Sequence, residues 1–341
     1  MVKGKGVEHE ALQSAGHKSI AAGGSDVFKV LQLFKVSSEA ELREKADARV
    51  KAKEEVLRIV HDPDVPGVEK QRLRCNYVHS YGRALFSCPG CWLLPGLCVC
   101  SLLHHIEHKT KVIVSCHPAE WCKSSNTGTA AALSTGGSVL LRGYGEHDVQ
   151  LEAAFADPST TKAILWPGET AILPQELKAI ADRQTQGRVT LIAIDAHWNG
   201  ARHLVGTFPP DMLRVKLPPE SVLTEGPRSL LSPLRFYRGD VGANGRVSTL
   251  EAIAALLYEL EGDRAKYDLM LENLKIKVDA VLIQKSRPPL YNTVGAQQGA
   301  KVRHEAQILA RRHIEELTKQ GKSVEDLGRG LMKYLKEAND E

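Results

Sequence analysis

The fold turns on one stretch, Val189-Thr190-Leu191-Ile192-Ala193-Ile194-Asp195-Ala196-His197-Trp198. Its first six residues are apolar or β-branched with no polar alternation, the pattern of a strand buried on both faces of a parallel sheet. The run stops at Asp195, a carboxylate that is costly to bury unless it is paired or functional. In layered α/β proteins ligands gather beyond the carboxyl ends of such strands. The end of this strand is therefore the first place to look for a reaction centre.

Working outward, similar short runs occur at Val112-Ile113-Val114, Val139-Leu140-Leu141 and Ala163-Ile164-Leu165-Trp166, with helices predicted between them from Thr127 to Leu133 and from Pro174 to Gln184. The alternation predicts an α/β domain built on a layered, mostly parallel sheet. Before it, Val27 to Val60 reads as helix, with Val30, Leu31, Phe34, Leu42, Ala46, Val50 and Leu57 at three- and four-residue steps among charges. The breaker His61-Asp-Pro-Asp-Val-Pro-Gly67 ends it, and Val68 to Cys100 is expected to be a metal-organised loop. After Glu251 the pattern is of long amphipathic helices, through Leu260, from Tyr267 to Ile283, from Val302 to Thr318 and from Val324 to Lys336. The expected organisation is an N-terminal tail and helical extension over 1–67, a catalytic domain over 68–262, and a helical C-terminal extension over 263–341.

A chain of 341 residues can bury a full core, and 43% apolar with 25% charged residues is an ordinary globular composition, which argues against disordered and fibrous classes. A net charge of +4 does not by itself imply a polyanionic partner, because clustering of Lys and Arg decides that. No apolar run approaches a membrane span, and the first thirty or so residues lack the charged start and apolar block of a secretory signal. Met1 to Ser25 has no Arg and carries Glu8 and Glu10, so it reads as a disordered tail rather than a transit peptide. The expectation is an intracellular protein, cytoplasmic or nuclear, with an organellar destination left open, acting as a monomer or weak dimer.

Seven cysteines in a reducing compartment are more often ligands, nucleophiles or core residues than disulfide partners. Cys88-Pro-Gly-Cys91 and Cys98-Val-Cys100 form two close pairs that can surround a tetrahedral ion, with Pro89, Gly90, Pro95 and Gly96 suited to the tight turns. A structural zinc is the expected occupant, since four ligands leave no open position for catalysis. Free thiols, or a redox pair at Cys88 and Cys91, are the other readings, and Cys75, His79, His104 and His105 are substitute ligands of lower rank.

Three strand ends carry unusual residues. After Val114 come His117-Pro118-Ala119-Glu120 and then Lys123-Ser124-Ser125-Asn126-Thr127-Gly128, where Ser and Asn also read simply as caps of the next helix. After Leu165 comes Trp166-Pro167-Gly168-Glu169, whose glycine lets backbone approach a ligand. After Ile194 come Asp195 and, beyond Trp198, Asn199-Gly200-Ala201-Arg202. A fourth patch interleaves Arg235 and Arg238 with Phe236 and Tyr237, a composition suited to phosphate contacts and base stacking. It leads to Ser248-Thr249-Leu250-Glu251, which equally reads as a capping box.

In this order, the cysteine cluster, the His-Pro-x-Glu to Asn-Thr segment, the Asp-x-x-Trp strand end and the Ser-Thr-x-Glu-Ala helix start resemble the DTW-domain family of tRNA-uridine aminocarboxypropyltransferases over roughly Cys88 to Leu260. The chain departs from that family's Asp-x-Thr-Trp in having His197 where Thr is usual.

The resemblance implies a fold related to the knotted SPOUT methyltransferases, with a trefoil knot that periodicity does not reveal. It implies S-adenosylmethionine as donor of a 3-amino-3-carboxypropyl group to N3 of a uridine in tRNA. Asp195 would be the general base, and Trp198 would shield the site from water. The donor would be held by His117, Glu120, Asn126, Thr127, Leu165, Trp166, Pro167, Gly168, Ser248 and Thr249, with the adenine near Leu165 to Gly168. Arg202, Arg235 and Arg238 would contact the tRNA backbone. The competing readings are a SPOUT-like RNA methyltransferase, aminocarboxypropyl transfer to ribosomal RNA, and a non-catalytic zinc-stabilised RNA-binding protein.

Overall fold

The computed structural model describes residues 36–218, 229–231, 234, 247–285 and 289–293. The tail Met1 to Ser25, the first part of the helix predicted from Val27, Arg235, Arg238 and the two helices predicted after Val302 lie outside them.

The apolar runs form five strands: β1 (Lys111–Cys116), β2 (Ser138–Leu141), β3 (Thr161–Leu165), β4 (Val189–Asp195) and β5 (Leu213–Val215). All pair in parallel, in the order β2-β1-β4-β3-β5. The run that opened the sequence reading is thus the central strand. It runs beside β1 from Lys111↔Thr190 to Cys116↔Asp195, which fixes Asp195 at the carboxyl edge of the sheet.

Eight α-helices are present among the described residues: α1 (Glu39–His61), α2 (Gly67–Ser80), α3 (Gly128–Thr135), α4 (Gly145–Ala156), α5 (Pro174–Thr185), α6 (Trp198–Val205), α7 (Thr249–Glu261) and α8 (Arg264–Gln284). Part of the stretch expected to be a cysteine-organised loop is thereby corrected, since residues up to Ser80 form α2. Helix α2 has little amphipathic contrast to announce it, and only Cys75 in it is buried. Several helix ends follow directly from local chemistry. Ser38 caps α1 by accepting from the Glu41 N–H, and Asp263 caps α8 by accepting from the Lys266 N–H. Pro174 takes the first position of α5, where no N–H is needed.

The sheet is covered on both faces, as its unbroken apolar strands require. Val112 and Val114, Leu191 and Ala193, and Ala163 face a large core shared with Ala130 and Ala131 of α3, Leu177 of α5, the apolar side of α7, and α8. On the other face Ile113 meets Leu151 and Ala154 of α4, while Ile164 and Ile192 meet Leu204 and Phe208 at α6. Each fully buried Leu or Ile in these layers contributes roughly 1.5–3 kcal/mol. The result is a rigid three-layer support whose carboxyl edge carries the loops of interest.

Candidate active site

Asp195 ends β4 with its carboxylate on the face covered by α3 and α7, and only 8% of the residue is exposed. Its Oδ2 accepts from the Asn126 amide at 2.6 Å and its Oδ1 from the Thr249 hydroxyl at 3.1 Å. The Gly128 backbone N–H, the first of α3, also donates to it. Burial is the largest influence on this group, followed by the charge of Glu120, and together they outweigh the three donors to push the carboxyl up to about 6. A carboxylate offers about four lone-pair positions, so three donors leave one for a reacting proton.

Each partner is held in turn. Asn126 accepts from the Thr129 N–H through Oδ1 at 3.1 Å, which caps α3 and aims the amide nitrogen at Asp195. Thr127 is buried and its hydroxyl accepts from the Leu250 N–H at 3.4 Å, tying the start of α3 to α7. At Gly128 a Cβ would stand 2.5 Å from Asp195 Oδ2 and 2.7 Å from Val114 Cγ1. Only glycine lets the helix end come this close to the carboxylate.

Ser248 accepts from the Glu251 N–H at 3.2 Å while Glu251 accepts from the Ser248 N–H at 2.7 Å, the capping box that the sequence suggested. Glu251 also receives the Ser229 hydroxyl and the Leu230 N–H, so the same carboxylate organises the approach to α7. Ser248 is fully used as a cap, and Thr249 reaches Asp195.

Outside this knot of bonds lie His117 and His197, with ring centroids 5.5 Å apart at 85°. The His117 N–H donates to the Asp195 carbonyl, and its Nδ1 accepts from the Ala119 N–H, so a neutral ring carries its proton on Nε2. Burial first, and His197 second, push His117 below the usual imidazole range. Glu120 pairs with Lys123 at 2.8 Å. The Trp198 backbone opens α6, but its side chain is outside the described residues.

One strand away, Leu165 pairs opposite Ala193, and the Trp166 N–H donates to the Val215 carbonyl at 3.0 Å. Trp166 packs beside Ile164 and Ile192, whereas Pro167 and Gly168 are exposed at the same edge of the sheet. Arg202 is exposed on α6. On the other side, beyond β2, His79, Trp121, Tyr144 and His147 form a partly buried ring cluster, with His79 and Tyr144 stacked at 3.9 Å. The sequence offered no periodic signal for that cluster, because its members come from three separate segments, with Tyr144 and His147 both at the start of α4.

The Sγ atoms of Cys88, Cys91, Cys98 and Cys100 all lie within 4.8 Å of one another and can hold a metal ion. The loop is shaped for that approach. The Cys91 N–H donates to the Cys88 sulfur, and a Cβ at Gly90 would stand 2.8 Å from the Cys100 sulfur. Such a thiol set, with no disulfide, fits a tetrahedral thiophilic ion better than a redox pair.

The sequence reading missed the polar groups that clamp this loop from α8. Asn273 donates to the His104 carbonyl and accepts from the His104 N–H, both at 2.8 Å, while Gln284 accepts from the Leu94 N–H at 2.9 Å. Between them the Lys277 ammonium donates to the Cys91 carbonyl. Burial holds Lys277 down to about 8 against the opposing pull of the cysteine sulfurs. The available signal was polar residues recurring on a stripe otherwise occupied by Met270, Leu274 and Val281.

A family model described as DTW domain matches residues 85–282, more than half of the chain. No curated protein and no solved structure matches it. The matched span begins just before the cysteine loop and ends within α8.

Proposed function

This chain belongs to the DTW-domain family, the family of tRNA-uridine aminocarboxypropyltransferases, and on that premise we propose that it transfers the 3-amino-3-carboxypropyl group of S-adenosylmethionine to N3 of a uridine in tRNA, with Asp195 as general base. The observation that carries the reading is the state of Asp195, a buried carboxylate raised to about 6 at the carboxyl end of the central strand. An ordinary aspartate, near ~3.9, is a weak base, and a carboxyl near 6 accepts a proton more readily while still being ionised at neutral pH.

In the proposed step the uridine N3–H proton passes to Asp195. The N3 lone pair forms a bond to the terminal carbon of the aminocarboxypropyl group, the C–S bond breaks, and its electron pair leaves with methylthioadenosine. All three carbons on the sulfonium are electrophilic, so the product depends on which is aimed at N3. Asn126, the Gly128 N–H and Thr249 position the base. His117, Glu120, Thr127 and the start of α3 are the proposed wall for the amino-acid part of the donor, and Leu165 to Gly168 that for the adenine. Shielding of the site from water is the role proposed for Trp198.

The four cysteines would hold zinc as a structural ion, since a complete thiolate set leaves no position for substrate. Arg202, with Arg235 and Arg238, is proposed for the tRNA backbone, which makes binding weaken steeply as salt rises. The same reading relates the fold to the knotted SPOUT enzymes.

The test is incubation of the full chain with isotopically labelled S-adenosylmethionine and total tRNA, followed by mass spectrometry of the nucleosides. Aminocarboxypropyluridine is expected, and a methylated nucleoside would replace this reading with methyl transfer. Asp195→Asn should retain donor and tRNA binding while transfer falls by roughly 10²–10⁴-fold, the usual worth of a general base. Unchanged turnover in that variant would remove Asp195 from the chemistry.

A further inference from the structure

Among the described residues Lys277 is the only Lys or Arg that is buried, with 1% exposure. It lies in the middle of α8, between Leu274 and Val281, both fully buried. An ammonium in such a place is strongly unfavourable unless another charge compensates it. Its bonded partner is a neutral backbone carbonyl, that of Cys91, and the charges that bear on it are those of Cys91, Cys100, Cys88 and Cys98. A carbonyl satisfies one N–H direction but does not neutralise a cation.

Four thiolates around a divalent ion carry a net double negative charge, itself unfavourable in a protein interior. Each of the two unfavourable burials is what the other lacks. We propose that Lys277 is the built-in counter-ion of a tetrathiolate metal centre at Cys88, Cys91, Cys98 and Cys100, so that metal loading and the burial of this ammonium are coupled. This rests on the reading of the four cysteines as a metal site. The neighbouring bonds make the arrangement specific. Asn273 and Gln284 grip the backbone at His104 and Leu94 on either side, so the ammonium is fixed over the Cys91 carbonyl. Lys277 is thus a positioning and charge-balancing residue that does not touch the ion.

The experiment compares the full chain with Lys277→Met, which keeps an unbranched side chain of similar length and removes the charge. Zinc affinity is measured by competition with a chromophoric chelator, and melting is followed for zinc-loaded and chelated protein. Affinity should fall at least about tenfold, as for loss of other groups that support metal ligands. Melting should change in opposite directions: the loaded variant melts below loaded wild type, and the metal-free variant above metal-free wild type, because only metal-free wild type must either keep an uncompensated cation buried or give up the packing around Lys277 to hydrate it.

Equal affinity, or a melting shift of the same sign in both states, overturns the counter-ion assignment while leaving the metal site standing. A wild-type chain that takes up no zinc overturns the metal reading first. If the variant does not fold, acetylation of wild-type Lys277 with an amine-reactive reagent, read by peptide mass spectrometry, decides. It should be at least about tenfold faster after chelation, with exposed lysines as reference, and equal rates would overturn the proposal.

Discussion

At Asp195 two opposed effects set the chemistry. Water exclusion and the charge of Glu120 favour the protonated form, and Asn126, Thr249 and the Gly128 N–H favour the ionised one, leaving the group at about 6. Since the proposed base must be unprotonated, the rate should rise about tenfold per pH unit below that value and level off above it. The folded chain holds this proton more tightly than the unfolded chain, whose aspartate titrates near ~3.9. Asp195 therefore contributes stability that is fully present below about pH 4 and is lost as pH rises through about 6. Glu120→Gln removes a negative charge that raises the group, and it frees Lys123, its partner at 2.8 Å. The acid limb of the pH–rate profile should then move to lower pH, and a limb that stays in place would show that the titrating group is not Asp195. The sequence made Asp195 legible because an acid at the end of an unbroken apolar strand is conspicuous. Its partners were not legible in that role, since Asn126 and Thr249 lie 69 and 54 positions away and reach it only through the fold.

At the scale of elements, the site depends on how closely α3 is pressed onto the end of β4. Gly128→Ala would place a methyl 2.5 Å from Asp195 Oδ2 and 2.7 Å from Val114 Cγ1, neither of which can move without disturbing the central strands. The expected cost is about 1–3 kcal/mol in urea unfolding, the range for an overpacked interior, together with a large loss of transfer activity. An alanine variant with wild-type stability and rate would mean that α3 is free to shift. Strands β1 to β4 could be read from composition because they are buried on both faces, and Val189 to Ile194 carried that signal most clearly. Strand β5 could not, because Leu213–Val215 is three residues long with Arg214 at its centre. Helix α2 was missed for a related reason: its apolar residues do not gather on one face, and it docks through Cys75, whose sulfur donates to the Arg142 carbonyl at 3.5 Å. The order β2-β1-β4-β3-β5 has no counterpart in any local pattern, because it depends on which strands meet after folding.

For the molecule as a whole, α8 joins the sheet layer to the cysteine loop. The sequence presented it as one more amphipathic helix after the catalytic domain, yet the family match continues to residue 282, and Tyr267, Met270, Leu274 and Val278 belong to the central core. Asn273 is the residue where the parts meet. Its amide bonds both the N–H and the carbonyl of His104 and also the Ser134 hydroxyl on α3 at 2.7 Å. Asn273→Ala would remove the partner of the His104 N–H and carbonyl and the N–H donor to the buried Ser134 hydroxyl, which keeps its bond to the Ala130 carbonyl, at an expected cost of about 3 kcal/mol. If α8 is the shared clamp, the damage should appear at both ends. Urea unfolding should shift to lower concentration, and Cys88, Cys91, Cys98 and Cys100 should react faster with a thiol reagent in metal-free protein still folded by circular dichroism. A stability loss with unchanged thiol reactivity would confine Asn273 to the α3 contact. Increased reactivity with unchanged stability would instead make the cysteine loop a unit that opens independently of the core.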